Sequence, residues 1–510
     1  MLRSGQSPRF VNLGDLIDRT ADPDKIALID LVDSARPRDV SFRQLDAMAQ
    51  AVARGLVQRG VQRGERVAIL AANRTEYLAA YYGIMRAGLV AVPVNYKFPP
   101  KLVEFVVRDS GARLVFCDAE RRAACPEGLP VVCFGDSGEY GFDAFLDPGV
   151  WQSVVPAPGE PAMFLYTSGS TGRPKGVILS HQSHLWTVET RLESLDLGNE
   201  RILIAAPLYH MNALALAKLG CAAHATIVML PQFRAPAYID AISRYHCTFI
   251  TAVPPMIAMM LQHPELLARA DLTSVSSLRM GSAPVSPSLM DAIHATFPNA
   301  HVINAFGTTE GGPVVFGPHP DGLKQPLYSV GYPHPKVQVR LVDATGHEAD
   351  QGVLQLKSPA LMSGYHNRPD LPLPITADGY YITGDVFRRD GDGFYYFMGR
   401  TDDMFVSGGE NIFPGEVEKM LETHPDIAQA CVVPVEDAIK GQKPVAFVVP
   451  RNGAALTEQA VRTFALANAP AYQHPRRVWF LDRLPLASTN KIDRRALMTL
   501  AEERMQRKDD

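Results

Sequence analysis

Several features are missing from this sequence, and each absence narrows what it encodes. No apolar run among the 510 residues is long and unbroken enough to cross a membrane. The richest stretches, 213–230 and 250–261, are interrupted by Lys218 and His224 or by Pro254 and Pro255, short of the roughly 20 apolar residues a span needs. The segment 1–20 carries charges throughout and lacks the apolar centre of a secretory signal, so a cytoplasmic location is expected. A basic surplus is also missing: 50 Lys and Arg against 54 Asp and Glu leave a net charge of −4, which offers nucleic-acid phosphates no counter-charge. The six cysteines, Cys117, Cys125, Cys133, Cys221, Cys247 and Cys431, form no CxxC pair, which argues against a zinc cluster or a disulfide framework. Neither an internal repeat nor a low-complexity tract is found. What is present, 46% hydrophobic and 20% charged residues, is the composition of a globular protein with several lobes.

The hydrophobic pattern then gives the class. Ser41 and Gln44 form a capping box ahead of Leu45, Met48, Val52 and Leu56, which recur at helical spacing until Gly60. A strand (66–72), a helix (75–86) and a second strand (89–94) follow, the length of a parallel crossover, with a further helix (99–110) and strand (112–118). After Ser180 the alternation resumes, with strands at 201–206, 225–230, 247–253, 275–280 and 301–305 and helices such as 237–245 and 287–297. This rhythm predicts an α/β fold of doubly wound subdomains. From about Val337 paired β runs with turns between them predict a small β-rich lobe of antiparallel hairpins, one turning at Asp390 to Gly393. Beyond residue 400 a smaller α+β stretch begins, with a helix at 414–423, strands near 430–433 and 445–449, and a helix at 457–467. The expected organisation is a large N-terminal domain over 1–400 and a small C-terminal domain over 401–510.

The strongest chemical signal is 166–176, YTSGSTGRPKG, where glycines let the backbone wrap closely, hydroxyls donate to phosphate oxygens and Lys175 adds positive charge. It is a phosphate loop without being a Walker A motif, because Lys175 sits between Pro174 and Gly176. No GxGxxG follows a strand and no GxSxG elbow occurs, which removes the dinucleotide and serine-hydrolase readings.

This loop resembles the signature of the adenylate-forming enzymes, the superfamily of acyl-CoA synthetases, peptide-synthetase adenylation domains and beetle luciferases. Six further segments resemble that family's motifs in its order: APLYH at 206–210, GSAP at 281–284, NAFGTTE at 304–310, YITGD at 381–385, GRTDDMFVSGGE at 399–410 and STNKIDR at 488–494. The resemblance spans about residues 30–500.

It implies an AMP-forming acid–thiol ligase using ATP, Mg²⁺ and coenzyme A. The nucleotide would be bound by Thr167, Ser168, Gly169, Ser170, Thr171, Gly172 and Lys175. Its adenine would lie against Gly281, Ser282, Ala283 and Pro284 and against Asn304, Ala305 and Phe306, with Gly307, Thr308, Thr309 and Glu310 continuing that loop. Glu310, expected at the carboxyl edge of a strand beside phosphates, needs a cation there, and the resemblance makes it an Mg²⁺ ligand together with Thr167. Asp385 and Arg400 would take the ribose, although on composition alone either could be a surface residue. Lys491 would enter from the C-terminal domain and stabilise charge at the α-phosphate. Asn490 stands where the family commonly has glycine, a choice some aryl-CoA ligases share.

By the same resemblance His210 borders the carboxylate pocket as a binding group, although a lone His in an apolar setting is more often structural. The remaining pocket wall would include Met211, Asn212, Ala213, Gly281, Gly307, Val314 and Val315. Ser407, Gly408 and Gly409 would line a pantetheine tunnel, Asp402 would be the hinge of a mobile C-terminal domain, and Arg86 would meet the CoA phosphates. The pair His181 and His184 has no further ligand at metal spacing.

Three functions are in play. The leading one is a free-standing acyl-CoA or aryl-CoA synthetase acting on an aromatic or phenylpropenoic acid, with a medium- or long-chain fatty acid as the alternative substrate. The second is an enzyme that loads a separate carrier protein, whose phosphopantetheine thiol would use the same tunnel. The third is a nucleotide-binding pseudoenzyme, which the presence of Thr167, Lys175, Glu310, Asp385, Arg400 and Lys491 opposes. No nucleic-acid partner is expected, and whether the chain acts alone or as a homodimer stays open.

Overall fold

A computed structural model describes residues 9–168, 173–281, 287–407, 410–437, 440–451, 454–487 and 491–506. Gly169, Ser170, Thr171, Gly172, Ser282, Ala283, Pro284, Gly408, Gly409 and Asn490 lie outside the described residues, as does the side chain of Ser168.

Two seven-stranded sheets form the body of the larger domain. The first runs His301–Ala305, Ser277–Gly281, Phe249–Ala252, Arg201–Ile204, Thr226–Met229, Ile26–Asp30 and Arg38–Ser41 in spatial order. All its neighbours are parallel except the final pair. The direction of winding reverses at Arg201–Ile204, and the carboxyl side of such a reversal is where open α/β sheets bind ligands. The second sheet runs Gly364–His366, Pro174–Ser180, Pro161–Ser168, Val90–Pro93, Arg66–Leu70, Ala112–Asp118 and Val131–Phe134. Here the crossover strands are parallel, while the phosphate loop joins an antiparallel hairpin at the other end.

Local chemistry accounts for the elements. The helix Phe42–Gln58 opens on the expected capping box, with Gln44 N–H donating to Ser41 Oγ at 3.3 Å and Ser41 N–H to Gln44 Oε1 at 2.9 Å. Its Leu45, Val52 and Leu56 are buried in a core shared by both sheets. The helix Thr75–Arg86 is buried on every side, which explains why its sequence shows no polar face.

The β-rich lobe is a six-stranded sheet from Phe316–Gly317 to Tyr395–Arg400, antiparallel throughout. Asp390 N–H donates to the Phe394 carbonyl at 3.0 Å and closes the anticipated hairpin turn. The small C-terminal domain has a five-stranded sheet, with Ile427–Asp437 paired against Gly441–Pro450, and packs the helices Pro414–Leu421, Glu458–Asn468 and Arg494–Gln506 around its own cores. No helix among the described residues is long and apolar enough to cross a membrane.

Arg86 corrects the sequence reading. Its side chain is fully buried, so it cannot meet the phosphates of CoA from the surface. The guanidinium lies 2.7 Å from Asp46 and 3.6 Å from Asp15, and its Nε donates to the Gly14 carbonyl at 2.7 Å. It holds the N-terminal segment onto two helices. Arg86→Met should leave Asp46 and Asp15 with the half-exposed Arg19, 2.9 Å from each, as their remaining cation and remove the Nε donor to the Gly14 carbonyl, costing about 2 kcal/mol of stability. Thermal denaturation checks this, with a lowered Tm expected and an unchanged Tm contradicting the structural role.

Candidate active site

Hairpin register places the phosphate-loop residues. Within the Pro161–Ser168 and Pro174–Ser180 pair, Thr167 stands opposite Lys175. Lys175 Nζ lies 3.2 Å from Glu310 Oε1, and Glu310 is itself buried. A third residue completes the triangle: Tyr365 accepts a hydrogen bond from Lys175 Nζ at 2.8 Å and donates to Glu310 Oε1 at 3.2 Å. Its ring also faces the ammonium at 4.2 Å. Tyr365 was missed by the sequence reading, and the only local mark on it is the adjacent Gly364. Its role arises because Gly364–His366 pairs with the strand carrying Lys175, across 190 residues of chain.

Thr167 Oγ1 is buried with no hydrogen-bond partner among the described residues. It stands across the ladder from Lys175, whose ammonium meets Glu310, and an orphaned hydroxyl with a buried carboxylate supplies oxygen donors of the kind Mg²⁺ takes. Thr308 shapes that loop, accepting from the Gly311 N–H at 2.7 Å. Tyr381, the first residue of the YITGD segment, has its hydroxyl pKa raised by burial and then by the charge of Glu310.

The ribose candidates are ladder partners. Asp385 lies inside the strand Tyr381–Arg389 and pairs with Arg400 on Tyr395–Arg400, their side chains 3.3 Å apart. Gly384 has φ of +73°, which glycine adopts without strain, and its carbonyl accepts from the Thr401 N–H and hydroxyl at 2.8 and 3.0 Å. Asp385 is only 4% exposed, and burial raises its pKa to about 6 against the pull of Arg400 and Lys491.

Lys491 belongs to the C-terminal domain, yet its charge acts on both Asp385 and His210 in the larger domain. Burial, followed by Arg400, lowers the pKa of Lys491, while Asp385 and Asp403 oppose the shift. Lys491, whose side chain remains exposed, thus lies within electrostatic range of His210, Asp385 and Arg400. Asp402, the hinge candidate, lies 3.6 Å from Arg400.

His210 precedes the helix Met211–Ala222 without a side-chain cap, and its Nε2 is buried without a partner among the described residues. Burial, then Lys491 and Lys97, holds its pKa down to about 3, so at neutral pH it is an uncharged imidazole. Of the other pocket candidates, Ala213, Val314 and Val315 are fully buried. Met211 and Asn212 open the helix, and Asn212 donates to Thr251 Oγ1 at 3.4 Å. Gly281 ends its strand so close to the next that a Cβ would meet the Ala305 carbonyl at 2.9 Å. Asn304 spends its amide on the Tyr328 and Ser329 carbonyls at 3.3 and 3.4 Å, and Phe306 packs edge-on to Phe387. Gly307 and Thr309 flank Thr308 on the loop that follows His301–Ala305.

On the proposed thiol side Ser407 is buried, with an Oγ that has no partner among the described residues. His181 and His184 have structural positions: His181 Nδ1 accepts from the Leu13 N–H at 3.0 Å, and His184 Nδ1 lies 3.2 Å from Lys218 Nζ.

Comparison with known proteins identifies the family. The family model described as AMP-binding enzyme matches residues 17–366, and that of the AMP-binding enzyme C-terminal domain matches 416–491. The chain belongs to the AMP-binding enzyme family. Among its relatives, a feruloyl-CoA synthase of an Amycolatopsis species is 31% identical over 461 residues, covering 89% of this chain and 92% of that protein. An indoleacetate–CoA ligase of Aromatoleum aromaticum is 30% identical over 500 residues, covering 94% and 96%. Among solved structures, ATP-bound MatB from Rhodopseudomonas palustris superposes with a TM-score of 0.86 at 27% identity, covering 96% of this chain and 98% of that one.

The raised Asp385 pKa generates a pH prediction. Burial favours the neutral acid, so the carboxylate that can accept from ribose hydroxyls is present above about pH 6 and is lost as pH falls through that value. The kcat/KM for ATP should decline below about pH 6, and Asp385→Asn should be weak at every pH without that limb. A profile flat down to pH 5 would contradict the assignment.

Proposed function

We infer that this AMP-binding enzyme is an ATP-dependent acid–CoA ligase, and that its acid is aromatic or phenylpropenoic. One observation supports the ligase reading most: the charge of a lysine from the C-terminal domain is felt at the imidazole, carboxylate and guanidinium groups of the larger domain. The feruloyl and indoleacetate relatives support the aromatic class.

A free carboxylate does not acylate a thiol, because its leaving group would be oxide. In the proposed first step a carboxylate oxygen attacks the α-phosphorus of ATP, the bond to the bridging oxygen breaks, and pyrophosphate departs. Lys491 offsets the charge that builds at phosphorus. His210, neutral and with Nε2 unpartnered, positions the carboxylate and carries no charge of its own. Lys175, held by Glu310 and Tyr365, faces the departing phosphates, while Asp385 and Arg400 orient the ribose. Thr167 and Glu310 are the residues that would hold Mg²⁺, whose contribution when bound is to neutralise phosphate charge. In the second step the thiol of CoA attacks the acyl carbon and AMP leaves. We assign the pantetheine passage to Ser407 with Gly408 and Gly409, place the domain boundary near residue 400, and assign Asp402 as the hinge that exchanges Lys491 for the thiol.

The test supplies MgATP, CoA and graded benzoates, hydroxycinnamates and fatty acids, with mass spectrometry for acyl-CoA and a parallel pyrophosphate assay. Acyl-CoA from aromatic acids is expected. Preference for fatty acids would overturn the aromatic class, and pyrophosphate without acyl-CoA would replace CoA by a carrier protein. Lys491→Ala should depress adenylate formation by 10²-fold or more, the order of one transition-state charge contact, while largely sparing thioester formation from supplied acyl-adenylate. Equal loss in both half-reactions would contradict the role of Lys491.

A further inference from the structure

The loop that carries Lys491 is closed across its base. Ala487 N–H donates to the Lys491 carbonyl at 2.7 Å and Asp493 N–H to the Pro485 carbonyl at 2.8 Å, with Leu486 bridged to Ile492. The helix Arg494–Gln506 follows at once and is seated by the buried Leu497 and Ala501. Its first residue is an anchor. Arg494 donates through Nη1 and Nη2 to the two carboxylate oxygens of Glu418 at 2.6 and 2.7 Å, and through Nη1 to the Val432 carbonyl at 2.9 Å. A bidentate pair of this kind fixes direction as well as distance. Glu418 is buried and also accepts from the Val432 N–H at 2.7 Å, so its own position is settled by the strand Ile427–Asp437.

Glu418 belongs to the helix Pro414–Leu421, and the next residue of that helix makes a contact outside the C-terminal domain. Lys419 Nζ donates to the Phe397 carbonyl at 3.1 Å. Phe397 lies on the strand Tyr395–Arg400, three residues before Arg400 and paired with the strand that presents Asp385. Two glycines let the helix approach: a Cβ on Gly399 would stand 3.3 Å from the Phe413 ring, and one on Gly415 3.5 Å from the Met398 carbonyl. Burial lowers the Lys419 pKa, with Glu416, Glu422 and Glu418 opposing, and an ammonium partly withdrawn from water bonds a carbonyl more strongly. Adjacent residues of one helix thus touch the foot of the Lys491 loop and the strand that ends in Arg400. A turn about Asp402 that withdraws Lys491 carries Lys419 with it, whereas the Phe397 carbonyl stays with the larger domain.

We propose that the helix Pro414–Leu421 is the strut that places Lys491 for adenylate formation: Glu418 fixes the Lys491 loop through Arg494, and Lys419 latches that assembly to the Phe397 carbonyl beside Arg400. Lys419 and Arg494 are positioning residues that act through Lys491. The latch opens when the domain turns for thiol attack, so it serves the first half-reaction and not the second. The inference rests on the acid–CoA ligase reading and names the groups that hold its adenylate-forming arrangement.

The test follows both half-reactions in the intact chain: pyrophosphate release with MgATP and ferulate, 4-hydroxybenzoate or hexanoate, and thioester formation from the matching acyl-adenylate and CoA. Lys419→Met should slow the first about 10-fold, the order of one hydrogen bond from a charged donor, and leave the second unchanged. Lys419→Arg, which keeps a donor, should recover most of the loss. Arg494→Lys, which keeps the charge without the fork, should also depress the first half-reaction more than the second. A readout without acid accompanies these, the pH dependence of Lys491 acetylation by acetic anhydride, followed by peptide mass spectrometry. Burial and then Arg400 hold the Lys491 pKa below the ordinary lysine value, against Asp385 and Asp403. In Lys419→Met the profile should move up toward that of an ordinary lysine as Lys491 leaves Arg400.

Equal loss in both half-reactions would reduce Lys419 to a stability contact, and no loss in either would remove it from the reaction; each overturns the inference. An unmoved Lys491 profile would overturn it whatever the rates. If the intact chain releases pyrophosphate with none of the acids, the ligase reading fails, and a profile that shifts in Lys419→Met still supports placement of Lys491 by this helix.

Discussion

Asp385 is a carboxylate that the fold has taken out of water, and the active site depends on the charges that make this tolerable. Burial alone favours its neutral form. Arg400 answers from the neighbouring strand, fixed opposite by the hairpin register, and Lys491 answers from the other domain. Each cation is also unfavourable to the other: Arg400 lowers the pKa of Lys491, and only Asp385 and Asp403 oppose it. A negatively charged nucleotide entering this group would relieve that conflict. On the proposed assignment of Asp385 and Lys491, bound nucleotide would favour Lys491 staying in this group, and its departure would weaken the reason for Lys491 to remain.

The proposed phosphate side follows the same logic, with Glu310 as the buried carboxylate. Glu310 is buried and meets Lys175 and Tyr365, so the carboxylate is compensated and the lysine is held in place. The two halves of the site come from different sheets, the hairpin of one and the loop after His301–Ala305 of the other, and the ion pair fixes them to each other. A rigid scaffold with fixed dipoles suits a reaction in which the protein forms no covalent bond to substrate and contributes placement and charge.

Most crossover strands and helices were legible because they are short β-branched runs or, as at Phe42–Gln58, amphipathic repeats with their own punctuation at Ser41 and Gly60. The capping box, the hairpin turn at Asp390 and the ladder from Val337 to Leu356 all have local causes that a sequence displays. The two strands flanking the phosphate loop were less legible, since the glycines and hydroxyls mask the register that sets Thr167 against Lys175. Convergence across distant segments left no local trace. Tyr365 reaches Lys175 through a three-residue strand, and Lys419 reaches the Phe397 carbonyl from the other domain. Arg86 was misread for the same reason: at the end of a helix an arginine is ordinarily exposed, and only its contacts with Gly14, Asp15 and Asp46 bury it.

The central claim is that the acid is activated by transfer of AMP to its oxygen. Turnover with acid labelled with ¹⁸O in its carboxylate tests this most directly, because the carboxylate oxygen that attacks phosphorus must leave with the nucleotide. The account predicts one ¹⁸O atom in the AMP formed and none in pyrophosphate. Label appearing in inorganic phosphate, with ADP as the nucleotide product, would mean attack at a different phosphorus and would contradict the mechanism.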